Sequence, residues 1–479
     1  MNSIKINSGI LVLSLAAAVA TATAQPRKLG IEECRSLAVE NNRNIKIAGQ
    51  TAVKADEMVG AMRANFLPQV SARGLYAYSN ASYDYTVEGG NLPIYKLNSA
   101  TGKYELDATY SALGIPTLNS YAFFPNINLA FETGNIFYGA AEVRQPIFMG
   151  GKITAAYRMA CIGRDMAELN RHKTDAETLV AADEAYWNCV KARALRSTAE
   201  QYLAAVEEFY KVVENAVGQG MGSSNDLLKV EIKRGEAQLN LLRVINARTL
   251  ADMNLCNTIG IELLTEIEVD TLAIDTPIGA ATPEWDITSR PEYGLLQKQV
   301  EMKRQQVALT RADFLPQVGV QASYGYLNGF KLNSSKVFDD YGSFTALVSV
   351  SVPIFHWGEG RHKTNAARAE QAISELQQRD LEEKMNMEVQ MYRSSLDEKR
   401  LQVKICRSVV LSAEENLRVV GNRYGQGMET TASMLEAQTE WQKASTDLID
   451  AKIALRTTES QYLRATGRLT AESDIKNEK

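Results

Sequence analysis

The sequence predicts a mixed α and β fold, mainly α: a tandem repeat of helix–strand–strand–helix–helix. Three chains together would close a 12-stranded transmembrane β-barrel, continued by a long α-helical barrel. Three observations predict it. The chain repeats its own landmarks in order. Stretches beside two Leu-Pro steps alternate apolar and polar residues with period two. Two proline-free stretches are long enough only for extended helices.

The repeat organises the rest. Asn65-Phe66-Leu67-Pro68-Gln69-Val70 is echoed by Asp313-Phe314-Leu315-Pro316-Gln317-Val318. Pro146-Ile147-Phe148 returns as Pro353-Ile354-Phe355, and Gly218-Gln219-Gly220-Met221 as Gly425-Gln426-Gly427-Met428, both at an offset of 207. The first pair is offset by 248, so copy one carries an extra 41 residues between its first two landmarks. The expected domains are a signal peptide over 1–24, a first repeat over 25–261, a linker over 262–287 holding Pro277, Gly279 and Pro283, a second repeat over 288–468, and a tail over 469–479.

In each copy a helix (30–64, 288–312) ends before the Leu-Pro step, because proline pushes the residue before it out of α geometry. Strands follow at about 66–78 and 314–326, with return strands at about 133–148 and 343–355. Val70, Ala72, Gly74, Tyr76 and Tyr78 share one face of the first strand; Val318, Val320, Ala322, Tyr324 and Tyr326 share one face of its counterpart. On the return strands the apolar sets are Phe137, Gly139, Ala141, Val143, Gln145 and Ile147, and Phe344, Ala346, Val348, Val350, Val352 and Ile354. Arg73, Glu142, Arg144, Gln321, Ser349 and Ser351 fall on the opposite face and are the candidate lumen-facing residues. Tyrosines 76, 78, 324 and 326 gather toward one strand end, as an interfacial aromatic girdle does. The intervening segments, 79–132 and 327–342, read as loops, the first long enough to carry structure of its own.

Residues 152–217 and 359–424 contain no proline, and at 1.5 Å per residue each helix would reach roughly 100 Å. Gly218-Gln219-Gly220 and Gly425-Gln426-Gly427 interrupt them, giving hairpin tips at 218–223 and 425–430, and returning helices run to about Thr258 and Thr466. Trp441, Ala444, Leu448, Ala451 and Leu455 are spaced 3-4-3-4, a coiled-coil seam; Trp187, Val190 and Ala194 keep the same spacing. The helices at 30–64 and 224–258 have 35 residues each, so stacked end to end they approximate one long helix.

Composition narrows the function classes. The 479 residues are 45% hydrophobic and 23% charged with net charge −5, which offers no basic stripe for nucleic acid. Mean hydropathy of −0.22 argues against a polytopic helical membrane protein but not against a β-barrel. Lys5, the apolar run 9–20 and Ala22-Thr23-Ala24 read as a secretory signal leaving Gln25 first, with no cysteine at the cleavage point to accept lipid. Cys34, Cys161, Cys189, Cys256 and Cys406 are odd in number and fit no zinc spacing; they read as small packing residues. His356 and His362 lack companion ligands for a metal. No nucleophile–base constellation, P-loop or dinucleotide fingerprint is present, so neither a cofactor nor an enzyme activity is expected.

Two strand pairs cannot close a barrel alone, and an open sheet edge in lipid leaves backbone groups unsatisfied at several kcal/mol each. Three chains would supply twelve strands around a lumen, with the long helices gathered into a tube below. The rival reading is an interaction protein, a periplasmic coiled-coil scaffold outside the membrane. It would use the same helices without needing alternating strands.

Ile31-Glu32-Glu33-Cys34 through Ala38-Val39-Glu40-Asn41-Asn42 is similar to the start of TolC-family outer-membrane efflux proteins. So are Arg290-Pro291-Glu292-Tyr293, the Phe-Leu-Pro-Gln steps, Gln145-Pro146-Ile147-Phe148 with Gly150-Gly151, and the Gly-x-Gly tips. The resemblance covers nearly all of 29–468. It implies a homotrimer in outer-membrane lipid with a periplasmic α-helical tunnel. The trimer would give passive export driven by an inner-membrane transporter, a resistance-nodulation-division pump or an ABC exporter, through a periplasmic adaptor (membrane fusion protein). It implies adaptor docking at Gly218, Gln219, Gly220, Gly425, Gln426 and Gly427. Its periplasmic aperture is closed by a tyrosine and acidic rings, which fall here on Tyr424, Asp226, Ser433 and Glu436. Glu429 stands where the best-known member has arginine, so that member's gate bonds do not carry over whole. Asp226 has a second reading, as a carboxylate favoured by the dipole in the first turn of a helix. Drugs, metals, small metabolites and polypeptides are not separated by the sequence.

Overall fold

The computed structural model of the chain describes residues 27–276, 285–333, 335–338 and 341–469. The expected signal peptide, Pro277, Gly279 and Pro283 of the linker, and the tail beyond 469 lie outside the described residues. The first elements are β1 (Arg27–Leu29), α1 (Ile31–Asn41), α2 (Arg43–Ala64), β2 (Gln69–Tyr78) and β3 (Ser82–Val87). Six short strands follow: β4 (Gly90–Pro93), β5 (Tyr95–Leu97), β6 (Tyr104–Leu106), β7 (Ala108–Tyr110), β8 (Pro116–Leu118) and β9 (Tyr121–Phe124). Then come β10 (Ile127–Met149), α3 (Lys152–Gly218), α4 (Ser224–Ile259), β11 (Ile267–Val269) and α5 (Pro291–Ala312). The chain closes with β12 (Gln317–Leu332), β13 (Ser335–Phe338), β14 (Tyr341–Ser351), α6 (Glu359–Gly425) and α7 (Thr431–Ala465). The fold is thus mixed and mainly helical. Two compact units divide it: one from Met1–Ala55, Gly163–Val300 and Ser374–Lys479, the other from Asp56–Ile162 and Glu301–Ile373. Each draws on both halves of the sequence repeat.

In the second of these units, α2 and α5 stop at Ala64 and Ala312 and the strands begin just past Pro68 and Pro316, as the restricted residue before proline requires. The main sheet is antiparallel in the order β2-β10-β12-β14. The sequence suggests two strand pairs; the structure joins them, because β10 of copy one pairs β12 of copy two from Phe131↔Leu332 to Met149↔Gln317. Several expected strand details change: β12 runs on to Leu332 and β13 forms within 327–342, which reads as a loop, because the ladder with β10 continues there, and β10 begins at Ile127, not near 133. β14 stops at Ser351, so Val352 and Ile354 leave the sheet. Pro146 has no amide to give to the ladder, and the register shifts between Pro146 and Phe148. Ile147 therefore loses its place on the apolar face, and Phe148 stands beside Val318 instead.

The long loop carries structure of its own. β3 pairs β10, and three small sheets form from β4 with β9, β5 with β6 and β7 with β8. Buried Asp107 ties them, accepting from Lys96 at 2.7 Å and from Asn119 and Ser120. Return to the helix uses Gly150 and Gly151, both left-handed at φ 61° and 87°. A Cβ at Gly150 would meet the Ala312 carbonyl at 2.7 Å. Copy two places Trp357 and Gly358 there, also left-handed at φ 49° and 80°, a conformation a bulky side chain adopts only when its surroundings force it.

In the first unit, the helix read as 30–64 is broken at Asn42, whose ψ of 133° leaves helical geometry. Its Oδ1 accepts the Asn44 amide at 2.7 Å, capping α2, while its Nδ2 donates to the Thr258 carbonyl at 2.8 Å. Small residues let α1, α3 and α4 approach closely: Cys34, Ala38, Ala182, Ala185, Cys189 and Cys256 are buried together with Leu29, Val190, Leu255 and Ile259. Full burial of each larger apolar side chain contributes about 1.5–3 kcal/mol. All five cysteines are free thiols, and burial pushes the Cys34 thiol up to about 12. The expected seam on α7 is present, with Ala444 and Ala451 buried. On α3, Tyr202, Val206, Phe209 and Val213 repeat at 4-3-4 and pack with Val230, Ala237 and Leu435.

Asp183 brings a carboxylate into this core. Asp183 is fully buried and receives Arg35 on both carboxylate oxygens, at 2.7 Å each, and the Ser460 hydroxyl at 2.5 Å. Three elements, α1, α3 and α7, are tied through that carboxylate.

Candidate channel surfaces

The six strand residues expected to face a lumen share one face of the sheet. Arg144 stands opposite Gln69 and Gln321, Glu142 opposite Ser71 and Ser323, and Arg73 opposite Ala140. Ser349 and Ser351 lie across from Gly319 and Gln317. Glu142 is pulled beneath two cations: one oxygen accepts from Arg144 Nε, the other from Arg73 Nη2 at 3.4 Å. A concavity of about 690 Å³ opens over this face, lined by Gln69, Arg144, Gln317, Gln321, Ser349 and Ser351 among others.

The other face carries no charged residue across the rows where the four strands pair. Val70, Val143, Ala322 and Ala346 form one row and Ala72, Ala141, Tyr324 and Phe344 the next. This face is exposed in the single chain; Val350 is 63% accessible. Phe355 and Trp357, in ring contact at 4.9 Å, stand exposed beyond the end of β14 nearer α6.

At both tips the helix closes in the same way. Met221 N–H donates to the Ala216 carbonyl at 2.8 Å and Gly220 N–H to Val217 at 2.9 Å; Met428 and Gly427 repeat this onto Arg423 and Tyr424 at 2.9 and 3.0 Å. This paired closure needs a left-handed residue, supplied by Gly220 and Gly427 at φ 76° and 73°. Gly218 and Gly425 end helices α3 and α6 and need no such freedom. Gln219 and Gln426 project into solvent. Ser223 and Thr430 then cap the returning helices, accepting from the Asn225 amide at 3.2 Å and the Ser433 amide at 3.1 Å.

The four gate candidates sit just past these turns. Asp226, in the first turn of α4, pairs with Lys229 at 3.1 Å. Tyr424 is half-buried; its ring meets Phe209 edge-on at 5.0 Å and its hydroxyl lies 3.4 Å from Thr431 Oγ1. Ser433 belongs to the cap of α7, 3.0 Å from Thr430 Oγ1. Glu436 is exposed and, with Lys229, Ile232, Lys233 and Leu435, lines a groove of about 480 Å³. Lys229 thus links Asp226 to the groove that holds Glu436. Glu429 reaches Arg423 at 3.4 Å. Lys229 was legible three residues beyond Asp226; Phe209, far away in the chain, was not.

No helix among the described residues is long and apolar enough to cross a membrane. Among them, too, no group of three or more His, Cys, Asp or Glu is placed to hold a metal ion.

The model of the outer membrane efflux protein family matches residues 34–260 and 289–468. The chain is 24% identical over 344 residues to the alkaline protease secretion protein AprF of Pseudomonas aeruginosa, covering 68% of this chain and 67% of AprF. It is 19% identical over 437 residues to the probable efflux pump outer membrane protein TtgC of Pseudomonas putida, covering 89% and 80%. Among solved structures, the Campylobacter jejuni CmeC outer membrane channel shares the fold with a TM-score of 0.69 at 16% identity, covering 93% of this chain and 88% of CmeC. CusC shares it with a TM-score of 0.70 at 15% identity, covering 91% of each chain.

Proposed function

Because the chain belongs to the outer membrane efflux protein family, we propose that three copies of it form the outer-membrane exit duct of a tripartite efflux or secretion system. The carrying observation is a sheet with an exposed, charge-free face and two outer strands. Within the chain β2 is joined to β10 alone in the main sheet order and β14 to β12 alone. β2 and β14 run in opposite directions, so β14 of one copy can pair with β2 of the next. Closure satisfies edge groups that lipid cannot, and three copies give the twelve-stranded barrel. Tyr76 and Tyr78 at one end and Phe355 and Trp357 at the other suit the two membrane interfaces. Helix faces support the trimer as well: Leu228, Ile232, Leu239 and Leu242 on α4, and Leu401, Ile405 and Val409 on α6, are exposed at helical spacing and await partner helices. A scaffold outside the membrane has no use for the charge-free sheet face.

The duplicated plan of the duct comprises the repeats 25–261 and 288–468, joined by the linker 262–287, with both repeats feeding each compact unit. The mature chain begins at Gln25 without lipid; intact-mass measurement of the outer-membrane protein checks this, and a retained leader or acyl group refutes it. AprF is named for protease secretion and TtgC for an efflux pump; the chain serves the same kind of system, driven by an inner-membrane transporter through a periplasmic adaptor.

The tips dock that adaptor. Arginine at both Gln219 and Gln426 is expected to abolish export while trimer yield is unchanged, read by substrate accumulation and by unheated gels. Asp226 and Tyr424 narrow the aperture. Asp226→Ala with Tyr424→Phe releases the Lys229 pair and the Thr431 contact but keeps the ring on Phe209, so single-channel conductance in planar bilayers should rise. Conductance equal to wild type would make both residues structural.

A further inference from the structure

We infer that the barrel section of the duct favours anionic solutes, those bearing carboxylate, phosphate or sulfonate groups, because its polar face presents guanidinium charge over a concealed carboxylate. This rests on the channel reading and names the solute class for it. Across the rows where β2, β10, β12 and β14 pair, the only charged residues are Arg73, Glu142 and Arg144, all on the polar face. Glu132 and Lys331 lie outside those rows and opposite one another. Within those four-strand rows each chain therefore contributes two guanidiniums and one carboxylate.

Their burial is unequal. The Glu142 side chain is 11% accessible, while Arg73 and Arg144 are 63% and 54% accessible. The carboxylate spends one oxygen on each arginine, so it fixes both cations without being offered to a passing solute. Arg144 also lines the concavity of about 690 Å³, where its remaining neighbours include the uncharged donors Gln69, Gln317, Gln321, Ser349 and Ser351. A planar guanidinium backed by amides and hydroxyls suits oxyanions. Around a closed barrel these charges make a positive ring in a wall of low dielectric, which concentrates counter-ions.

The test is the reversal potential of purified trimers in planar bilayers under a potassium chloride gradient. Arg73→Gln with Arg144→Gln should lower the chloride-to-potassium permeability ratio by about threefold or more, and Glu142→Gln should raise it. Arg73→Gln alone, at a mostly exposed side chain, should lower it in the same direction and serves if the double variant fails to assemble. A conducting wild-type trimer whose ratio is unmoved by Arg73→Gln and by the double variant overturns the inference and leaves the channel reading standing. A wild-type trimer that inserts without conducting removes the channel reading, and the inference with it.

Discussion

Val350→Arg is expected to impair assembly of the membrane-inserted trimer, at a cost of about 1 kcal/mol this near the Trp357 end of β14, against about 2–4 kcal/mol for a mid-bilayer site. Val350 lies on β14 opposite Val318, with Phe148 beyond it in the same row. Its side chain is 63% accessible in the single chain, on the face proposed to meet lipid. A guanidinium there must enter hydrocarbon or draw water into it. Ser349→Arg, one residue earlier, points to the polar face opposite Gly319 and adds a cation to a hydrated surface. It should leave the yield of detergent-resistant trimer near wild type. Unheated gels and urea titration in lipid read the difference. Equal tolerance at the two positions would mean that the faces are assigned the wrong way, or that neither meets lipid.

Asp183→Ala is expected to cost about 3–5 kcal/mol of stability, through the helical core and not the barrel. The carboxylate is fully buried and accepts from Arg35 twice and from Ser460. Removing it leaves the Arg35 guanidinium, whose side chain is only 14% accessible, with Glu32 at 3.0 Å but without its buried carboxylate. Loss of a two-point ion pair in a desolvated site sets the size of the effect, and the Glu32 contact moderates it. Ser460→Ala removes one hydroxyl donor to the buried carboxylate and should cost less, about 1.5–3 kcal/mol. Replacing Arg35 and Asp183 together by Met and Leu should recover most of the loss, since apolar residues of similar volume pack in place of a buried pair at little cost. Thermal unfolding of the detergent-solubilised protein measures all three variants. A loss below about 1 kcal/mol for Asp183→Ala would show that the site relaxes or hydrates.

Much of the architecture was legible because it is written locally. Proline at 68 and 316 ends helices in any context, and the period-two pattern through Val318, Val320, Ala322 and Tyr324 identifies a strand and its faces before its neighbour is known. Polar candidates from Arg73 to Ser351 could be sorted to one face for the same reason. The paired glycines announced the tips, although only the backbone distinguishes Gly220 and Gly427, which are left-handed, from Gly218 and Gly425, which are helical.

The kind and order of the elements and their apolar faces follow from the residue order, since each depends on residues within a few positions of one another, and the duplicated plan follows from the repeated landmarks. Other features arise in the folded chain alone, because they depend on partners far apart in the sequence. Alternation is satisfied by any antiparallel neighbour, so pairing of β10 with β12, which makes one sheet of two repeats, had no local mark. Asn42 breaks its helix while bonding a carbonyl at Thr258. Trp357 takes a left-handed turn that its own side chain disfavours. Arg35 finds Asp183 across 148 residues. Backbone ladders and buried charges must be satisfied by whatever the fold brings near, and that choice is made by packing over the whole chain, not by local preference.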